Sequence, residues 1–130
     1  MTKTVIKTSL AAVNADGTLA RSYNGINPTK SVTVTKLGTG EYPVDFNGKN
    51  LTSAFFYASL GTPATSGTAD MGGICSELRV SDTAAVYVRT YDLAGTNADN
   101  SFFIHVELPV TECTPCYNPC YDPCYKSCCY

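Results

Sequence analysis

The sequence has no strong charge of either sign and no long apolar run, and these absences exclude whole classes of protein. Its formal net charge is -2, and its nine Lys and Arg residues are scattered singly along 130 residues. Nucleic acid and anionic membranes are therefore not expected partners. No apolar run approaches the ~20 residues that a membrane-spanning helix needs. Near the N-terminus only residues 10–13 form an apolar block, which is too short for a signal peptide.

Residues that usually carry catalysis are also scarce. His105 is the only histidine, and no Cys, Ser or Asp cluster surrounds it in the sequence. We therefore expect a surface or interface histidine rather than a general base. Asp92 and Asp99 lie in a loop that offers calcium ligands, but their spacing is not that of an EF-hand. The other acidic residues stand singly at predicted turns. The sequence thus predicts neither an enzyme nor a bound cofactor.

What the sequence does contain is a succession of short segments with period-two alternation, separated by Gly, Asn, Asp and Pro. Residues 2–10 are rich in β-branched side chains, and in residues 31–36 two valines alternate with serine and threonine. Residues 51–60 are the most apolar stretch and are expected to form a central strand. Residues 101–108 show the clearest alternation, with four residues directed inward: Phe102, Ile104, Val106 and Leu108.

Seven or eight short strands at spacings of roughly 8 to 12 residues are typical of all-β folds. We therefore expect an antiparallel β-sandwich or jelly roll of about seven to eight strands over residues 1–110. Pro109 is expected to end the last strand, because proline cannot donate to the ladder. Residues 111–130 are expected to form a non-regular Cys, Tyr and Pro-rich tail.

Large aromatic residues occupy the alternate positions of several predicted strands, on the face away from the core set. They are Phe55, Tyr57, Tyr87, Tyr91 and Phe103. In one interpretation, both faces of the central strands are covered within a single sandwich. In the other, the aromatics form an interface between subunits, since exposed apolar patches mark contact sites. Phe103, Tyr87 and Tyr91 are the candidate interface residues of the body.

The tail concentrates the chain's thiols and tyrosines. Residues 113–130 hold six of the seven cysteines and four of the nine tyrosines. Three of these tyrosines are further interface candidates: Tyr117, Tyr121 and Tyr125. The six cysteines are candidates for cross-linking or, alternatively, for binding zinc or copper: Cys113, Cys116, Cys120, Cys124, Cys128 and Cys129.

The spacing of the tail cysteines favours disulfides between chains over a metal site. Pro119 and Pro123 block the helix that would align thiols on one side. On an extended polyproline path, cysteines four residues apart lie ~12 Å apart, beyond the ~7 Å limit for a disulfide. In the alternative interpretation, tight turns at these prolines fold the tail into an intramolecular knot. Cys75, outside the tail, is either a buried free thiol or bridged to a tail cysteine.

Four segments of the body resemble the repeated pattern of small bacterial surface proteins. They read NADGTLAR (14–21), KLGTGEYPVDF (36–46), FYASLG (56–61) and VYVRTYDLAGTNADNSFFIHVEL (86–108). The resemblance implies a β-sandwich domain of unassigned function and brings no catalytic motif. A β body with a cysteine-bearing terminal arm is also similar in plan to the subunits of spore appendages and virion fibres.

These features together predict a structural subunit that associates with copies of itself. The expected assembly is an extracellular filament, a cell or spore surface layer, or a virion appendage, in which tail disulfides join neighbours. The first alternative is a thiolate module that binds zinc or copper on a β scaffold. The second is a carbohydrate-binding sandwich, with surface glycans as partners and with loops 61–73 and 92–100 as the binding region.

Overall fold

The computed structural model describes residues 2–62, 72–79 and 81–113, and this part of the chain contains eight strands and no helix. The eight strands, in chain order, are β1 (Thr2–Val13), β2 (Leu19–Asn24), β3 (Thr33–Val34), β4 (Glu41–Asp45), β5 (Phe55–Leu60), β6 (Gly73–Leu78), β7 (Ala85–Tyr91) and β8 (Phe102–Cys113).

The strands form two antiparallel four-stranded sheets. Sheet A has the order β2-β1-β8-β5, and sheet B has the order β3-β4-β7-β6. The chain crosses between the sheets after β2, β4, β5 and β7, while β1-β2, β3-β4 and β6-β7 are neighbours in both sequence and space. The all-β fold and the antiparallel sandwich of about eight strands are therefore confirmed.

The core lies between the two inner faces, because alternate residues of each strand are apolar and point to the same side. In β8 the four residues predicted to point inward are all buried, and in β1 the buried positions include Ala11 and Val13. Across the core, the Tyr42 ring from sheet B meets the Phe102 ring from sheet A with centroids 5.2 Å apart at 60°. This tilted contact joins the two layers.

Tyr42 also carries a buried hydroxyl that ties one end of the sandwich together. Its O–H donates to the Ala15 carbonyl at 2.6 Å and lies 3.3 Å from the Asp99 carboxylate. Burial and the nearby negative charge of Asp99 raise the pKa of Tyr42. Asp99 also accepts the Gly40 N–H at 2.8 Å and pairs with Lys36 at 3.2 Å. These contacts lower the pKa of Asp99, with the Gly40 hydrogen bond as the largest cause.

Residues 51–60, which were predicted to form a central strand, differ from that prediction in two ways. β5 begins only at Phe55, and it lies at the edge of sheet A beside β8. Leu51 is buried but belongs to a turn, because its N–H donates to the Thr83 carbonyl and its own carbonyl accepts from Ala54. The prediction of a central strand over residues 51–60 was therefore wrong. Leu51 is an apolar residue because it is buried in a turn that closes the sandwich, not because it belongs to the strand.

Two further strand limits differ from the prediction. The expected strand over residues 31–36 is reduced to the two residues of β3, although Val32 is buried as predicted. Pro109 does not end β8, which continues to Cys113 and pairs with β1 along its whole length. Pro109 lies opposite Ile6 of β1, two residues beyond Glu107, where the pairing of β8 with β5 ends. Proline is accepted there because one side of β8 has lost its neighbour.

Candidate functional site

β1 and β8 continue beyond both of their neighbours as a two-stranded ribbon. Pairing of β1 with β2 begins at Ser9, and pairing of β8 with β5 stops at Glu107. Residues 2–7 and 108–113 therefore pair only with each other among the described residues. We call this segment the ribbon. The tail begins at the end of the ribbon, where Cys113 lies opposite Thr2.

The direction of the main-chain groups in the ribbon follows from contacts that the β8 and β1 segments make in the body of the sandwich. The Ser101 carbonyl accepts from the N–H of Gly61, next to the end of β5. The Thr8 carbonyl lies against Gly25, on the β2 side, where a Cβ on Gly25 would come within 2.3 Å of the oxygen. Because main-chain groups alternate sides along a strand, even-numbered residues of β1 and odd-numbered residues of β8 direct theirs away from the other strand.

The two free edges of the ribbon are therefore unlike each other. The β8 edge contains Pro109, an odd-numbered residue, so the missing N–H lies on the open side. The β1 edge exposes the N–H and C=O groups of Thr2, Thr4 and Ile6, without proline. Proline on an edge is a common way of preventing strand addition. The β1 edge has no such protection.

The side chains of the ribbon are mixed in character. On its inner side, Lys7 pairs with Glu112 at 2.8 Å, and the hydrogen bond from Lys7, followed by its positive charge, lowers the pKa of Glu112. Between them, Val110 packs at the margin of the core and is only half-buried. On the outer side, Ile6 is 56% exposed. A strand with this exposure gains little stability from its own chain, because burial is the main source of stability.

The outer face of sheet A carries an aromatic groove that crosses all four strands. One row is aligned by the strand register and runs Tyr23, Leu10, His105 and Tyr57 from β2 to β5. The next row is Arg21, Ala12, Phe103 and Ser59. Together these rows line a groove of about 350 Å³. Tyr23 and Tyr57 are 63% and 60% exposed, so large apolar surfaces face solvent here.

A chain of hydrogen bonds holds the centre of the groove rigid. The Tyr57 and His105 rings stack with centroids 4.8 Å apart at 22°, and the Tyr57 hydroxyl is 3.0 Å from His105 Nδ1. His105 Nε2 is 3.1 Å from the Glu107 carboxylate. With the proton on Nε2, the imidazole donates to Glu107 and accepts from Tyr57. These partners fix the His105 ring. His105 thus lies on the outer face, as predicted.

Phe103 fills the floor of the groove because its neighbour is a glycine. A Cβ at Gly61 would come within 2.2 Å of the Phe103 ring. The absence of a side chain at Gly61 lets the ring contact the main chain just after the end of β5. This contact explains why Phe103 is half-buried rather than fully exposed, although it is directed outward.

The other two candidate interface residues of the body lie on the opposite side of the molecule. Tyr87 and Tyr91 belong to the outer face of sheet B, where the Arg89 guanidinium lies 4.9 Å from the centroid of the Tyr87 ring. Tyr91 contacts Cys75, with Sγ and the hydroxyl 3.5 Å apart. The structure therefore does not bring Phe103, Tyr87 and Tyr91 together. It divides them between two faces.

Cys75 is exposed on β6, so its interpretation as a buried thiol was wrong. β6 is an edge strand, and the outward positions of its period-two pattern face solvent. Of residues 113–130, only the Cys113 main chain belongs to the described residues. The remaining candidates for cross-linking, metal binding and contact lie outside them: Cys116, Cys120, Cys124, Cys128, Cys129, Tyr117, Tyr121 and Tyr125. Among the described side chains, no three His, Cys, Asp or Glu residues are grouped as metal ligands.

The carboxylates of Asp92 and Asp99 accept hydrogen bonds from other groups of the fold. The Asp92 carboxylate accepts the N–H groups of Ala94 and Thr96, while Asp99 is directed at Gly40 and Tyr42. The two carboxylates of the calcium candidate loop thus have separate structural partners. The Asp45 carboxylate accepts the Asn47 N–H at 2.7 Å, and the Asp82 carboxylate accepts the Ala84 N–H at 3.0 Å. Burial is the main cause that raises the pKa of Asp45, and the neighbouring Asp45 carboxyl lowers the pKa of Asp82.

Five members of the two rows are not predicted from the sequence: Leu10, Ala12, Arg21, Tyr23 and Ser59. Leu10 belongs to a short apolar block in the sequence, and Arg21 is one of its singly scattered charges. The period-two pattern of residues 6–12 placed Leu10 on the same face as Ile6. No local signal joined these residues to Tyr57, because only the strand order puts β2 and β5 in one sheet.

Comparisons with protein-family models, with curated proteins and with solved structures found no match to this chain. Among the described residues there is no helix long and apolar enough to cross a membrane. The resemblance to small bacterial surface proteins therefore stays a prediction.

Proposed function

We propose that the protein is a structural subunit that associates with copies of itself and is joined to its neighbours by disulfides of the tail. The observation that carries this proposal is the position of Cys113 at the end of the ribbon. Cys113 is six residues beyond the last pair between β8 and β5, or about 20 Å at the rise of a strand. Cys113 thus lies three residues beyond Val110, the last described residue of β8 that packs against the core.

The outer face of sheet A supports the same proposal. The groove and the exposed Ile6 and Phe55 form a broad apolar surface on one side of the molecule. Monomeric proteins rarely expose apolar surface of this kind without a contact role. Tyrosine and arginine, which occur together at Tyr23, Tyr57 and Arg21, are enriched at protein interfaces. A filament, surface layer or appendage outside the cell, where disulfides persist, is the setting that we propose.

The chemistry of the cross-link is ordinary. Two tail thiols, one from each neighbour, lose two protons and two electrons to an oxidant such as molecular oxygen or oxidised glutathione, and a sulfur–sulfur bond forms. No enzymatic group of the body is required.

Gel electrophoresis of the intact, oxidised chain tests this proposal. We expect a ladder of covalent multimers that collapses when reductant is added. Replacing the six tail cysteines by serine should abolish the ladder, while Cys75→Ser is the matched control and should preserve it. The variant with six replacements is Cys113→Ser, Cys116→Ser, Cys120→Ser, Cys124→Ser, Cys128→Ser and Cys129→Ser.

The metal-binding alternative makes the opposite prediction for the same sample. Stoichiometric zinc or copper on the purified chain, with only free thiols after its removal and no covalent multimers, would contradict the structural proposal.

The groove itself favours a second candidate function, the binding of a carbohydrate. Tyr23 and Tyr57 offer exposed rings, and Arg21, Ser59 and His105 offer polar groups beside them. Ligand sites combine apolar walls with a few such polar groups. Of the two loops predicted as the binding region, residues 63–71 lie outside the described residues, so the groove is a further region to test beside loops 61–73 and 92–100. Binding to a glycan array that Tyr57→Ala abolishes and Tyr87→Ala preserves would support the second candidate.

A further inference from the structure

We propose that the β1 edge of the ribbon pairs with the same edge of a second copy, which joins two ribbons into one continuous antiparallel sheet. This inference rests on the proposed function, since it identifies the contact that brings two subunits together. It concerns main-chain hydrogen bonds of residues 2–6, and it does not require the tail to be oxidised.

The first argument is that the β1 edge of the ribbon has no partner strand among the described residues. Thr2, Thr4 and Ile6 direct their N–H and C=O groups away from β8, and no described strand lies beside them, because β2 pairs with β1 only from Ser9 onward. Unpaired strand edges are templates for another strand, and addition of a strand at such an edge is a common mode of recognition. Thr8 is the next residue of β1 whose main-chain groups point away from β8, and there Gly25 already lies against the edge.

The second argument identifies the occupant. The tail of the chain is a poor candidate, because Pro115, Pro119 and Pro123 interrupt it every four residues and proline cannot donate to a ladder. The β8 edge of another ribbon is also a poor candidate, because Pro109 removes an N–H on the open side. The β1 edge of a second copy has neither defect.

The third argument is that this edge is complementary to itself. In an antiparallel pair about a two-fold axis through Thr4, Thr2 of one copy lies opposite Ile6 of the other. All three outward residues of each copy then find a partner, and each pair exchanges two hydrogen bonds. Lys3 lies opposite Val5, so no two lysines face each other across the new pair. The exposed Ile6 gains a neighbour on the outer face. A two-fold axis of this kind is the commonest symmetry of protein dimers.

Two proline variants at the same level of the ribbon test the inference. Thr4 and Thr111 lie directly opposite each other, and both direct their main-chain groups outward, Thr4 to the β1 edge and Thr111 to the β8 edge. Thr4→Pro removes an N–H from the proposed contact, and Thr111→Pro removes the equivalent N–H from the other edge. Neither variant removes a hydrogen bond between β1 and β8.

Self-association of the full chain is measured by analytical ultracentrifugation in reductant, so that the tail thiols are reduced and no covalent link contributes. We expect Thr4→Pro to weaken association about tenfold or more, from the loss of hydrogen bonds at the axis. We expect Thr111→Pro to leave association within about twofold of the parent chain. Circular dichroism shows whether each variant keeps the sandwich.

Hydrogen exchange on the unaltered chain provides a test that needs no variant. The amides of Thr4 and Ile6 should become protected as the concentration rises, whereas the Thr111 amide should not. The inference is overturned if the two proline variants weaken association equally, if neither does, or if the Thr4 amide stays unprotected in the associated state.

The two proposals fail separately. A chain that remains monomeric in reductant but forms the covalent ladder when oxidised overturns the pairing of edges and leaves the proposed function standing. A chain that associates through Thr4 but forms no ladder overturns the disulfide-linked subunit instead.

Discussion

β1 and β8 form one uninterrupted ladder, yet the two halves of this ladder have opposite surroundings. Between Ser9 and Val13, β1 has β2 on its other side and contributes Ala11 and Val13 to the core. Between Thr2 and Lys7 it has no second neighbour among the described residues, and most of its side chains are exposed or half-buried. The same pairing of β1 with β8 therefore lies inside a four-stranded sheet where β2 and β5 flank it, and forms a two-stranded ribbon where they do not.

The difference follows from where burial is available. A two-stranded ribbon is marginal by itself, because it has too little apolar surface to cover. The ribbon is held by its continuity with the body, by the half-buried Val110 and by the pair of Lys7 with Glu112. We therefore expect substitutions in the body to change the free energy of unfolding and substitutions in the ribbon to change association.

The largest expected effect comes from two valines of β8 that point to the same side, four residues apart. Val106 is fully buried in the body, and Val110 is half-buried in the ribbon. Val106→Ala should lower the free energy of unfolding by about 2–3 kcal/mol, because it leaves a cavity in the core. Val110→Ala should lower it by about 1 kcal/mol or less. Urea denaturation in reductant measures both, and equal losses would mean that the ribbon is as well packed as the body.

A smaller effect is expected from two tyrosine hydroxyls. The Tyr42 hydroxyl is buried and donates to the Ala15 carbonyl, whereas the Tyr57 hydroxyl contacts His105 on the outer face. Tyr42→Phe should cost about 1–2 kcal/mol, because a buried acceptor loses its partner. Tyr57→Phe should change the free energy of unfolding by about 0.5 kcal/mol or less. Thermal unfolding of the two variants measures the difference. A larger loss of stability for Tyr57→Phe would contradict the conclusion that the Tyr42 hydroxyl contributes more to stability.

The smallest expected effect is a difference between two carboxylates, Asp99 and Glu112, in how much each contributes to the pH dependence of stability. The pKa of Asp99 lies below its ordinary value near 3.8 in the folded protein, so its ionised form stabilises the fold above that pH. This stability is lost as the pH falls below about 4 and through the lowered pKa. Asp99→Asn should therefore flatten the dependence of stability on pH in that range.

Glu112 is the matched control for Asp99. Its pKa is also lowered, by Lys7, but it lies on the ribbon rather than at the end of the sandwich. Glu112→Gln should change the acid dependence of global unfolding less than Asp99→Asn does, because exposed ion pairs contribute little. Unfolding midpoints measured between pH 2 and pH 6 compare the two variants. A larger change for Glu112→Gln would indicate that the ribbon unfolds together with the body.

Much of the site depended on features that no local pattern contains. Phe55, Tyr57 and Phe103 were predicted to face outward, and they do so on one sheet, but Tyr87 and Tyr91 follow the same pattern and lie on the other. Alternation tells which residues share the face of one strand. It does not tell which strands share a sheet, since that depends on long-range pairing such as β1 with β8. The row from Tyr23 to Tyr57 exists only through that pairing.

By itself the sequence determined the class of fold and the inward residues of β8, because periodicity and residue type are local properties that every residue carries along the chain. Only the tertiary structure decided that β5 lies at an edge, that Pro109 is tolerated inside β8, and that residues 2–7 and 108–113 form a ribbon. These features depend on where neighbouring strands end. Strand ends are set by packing between distant segments, so the open β1 edge became visible only in the folded chain.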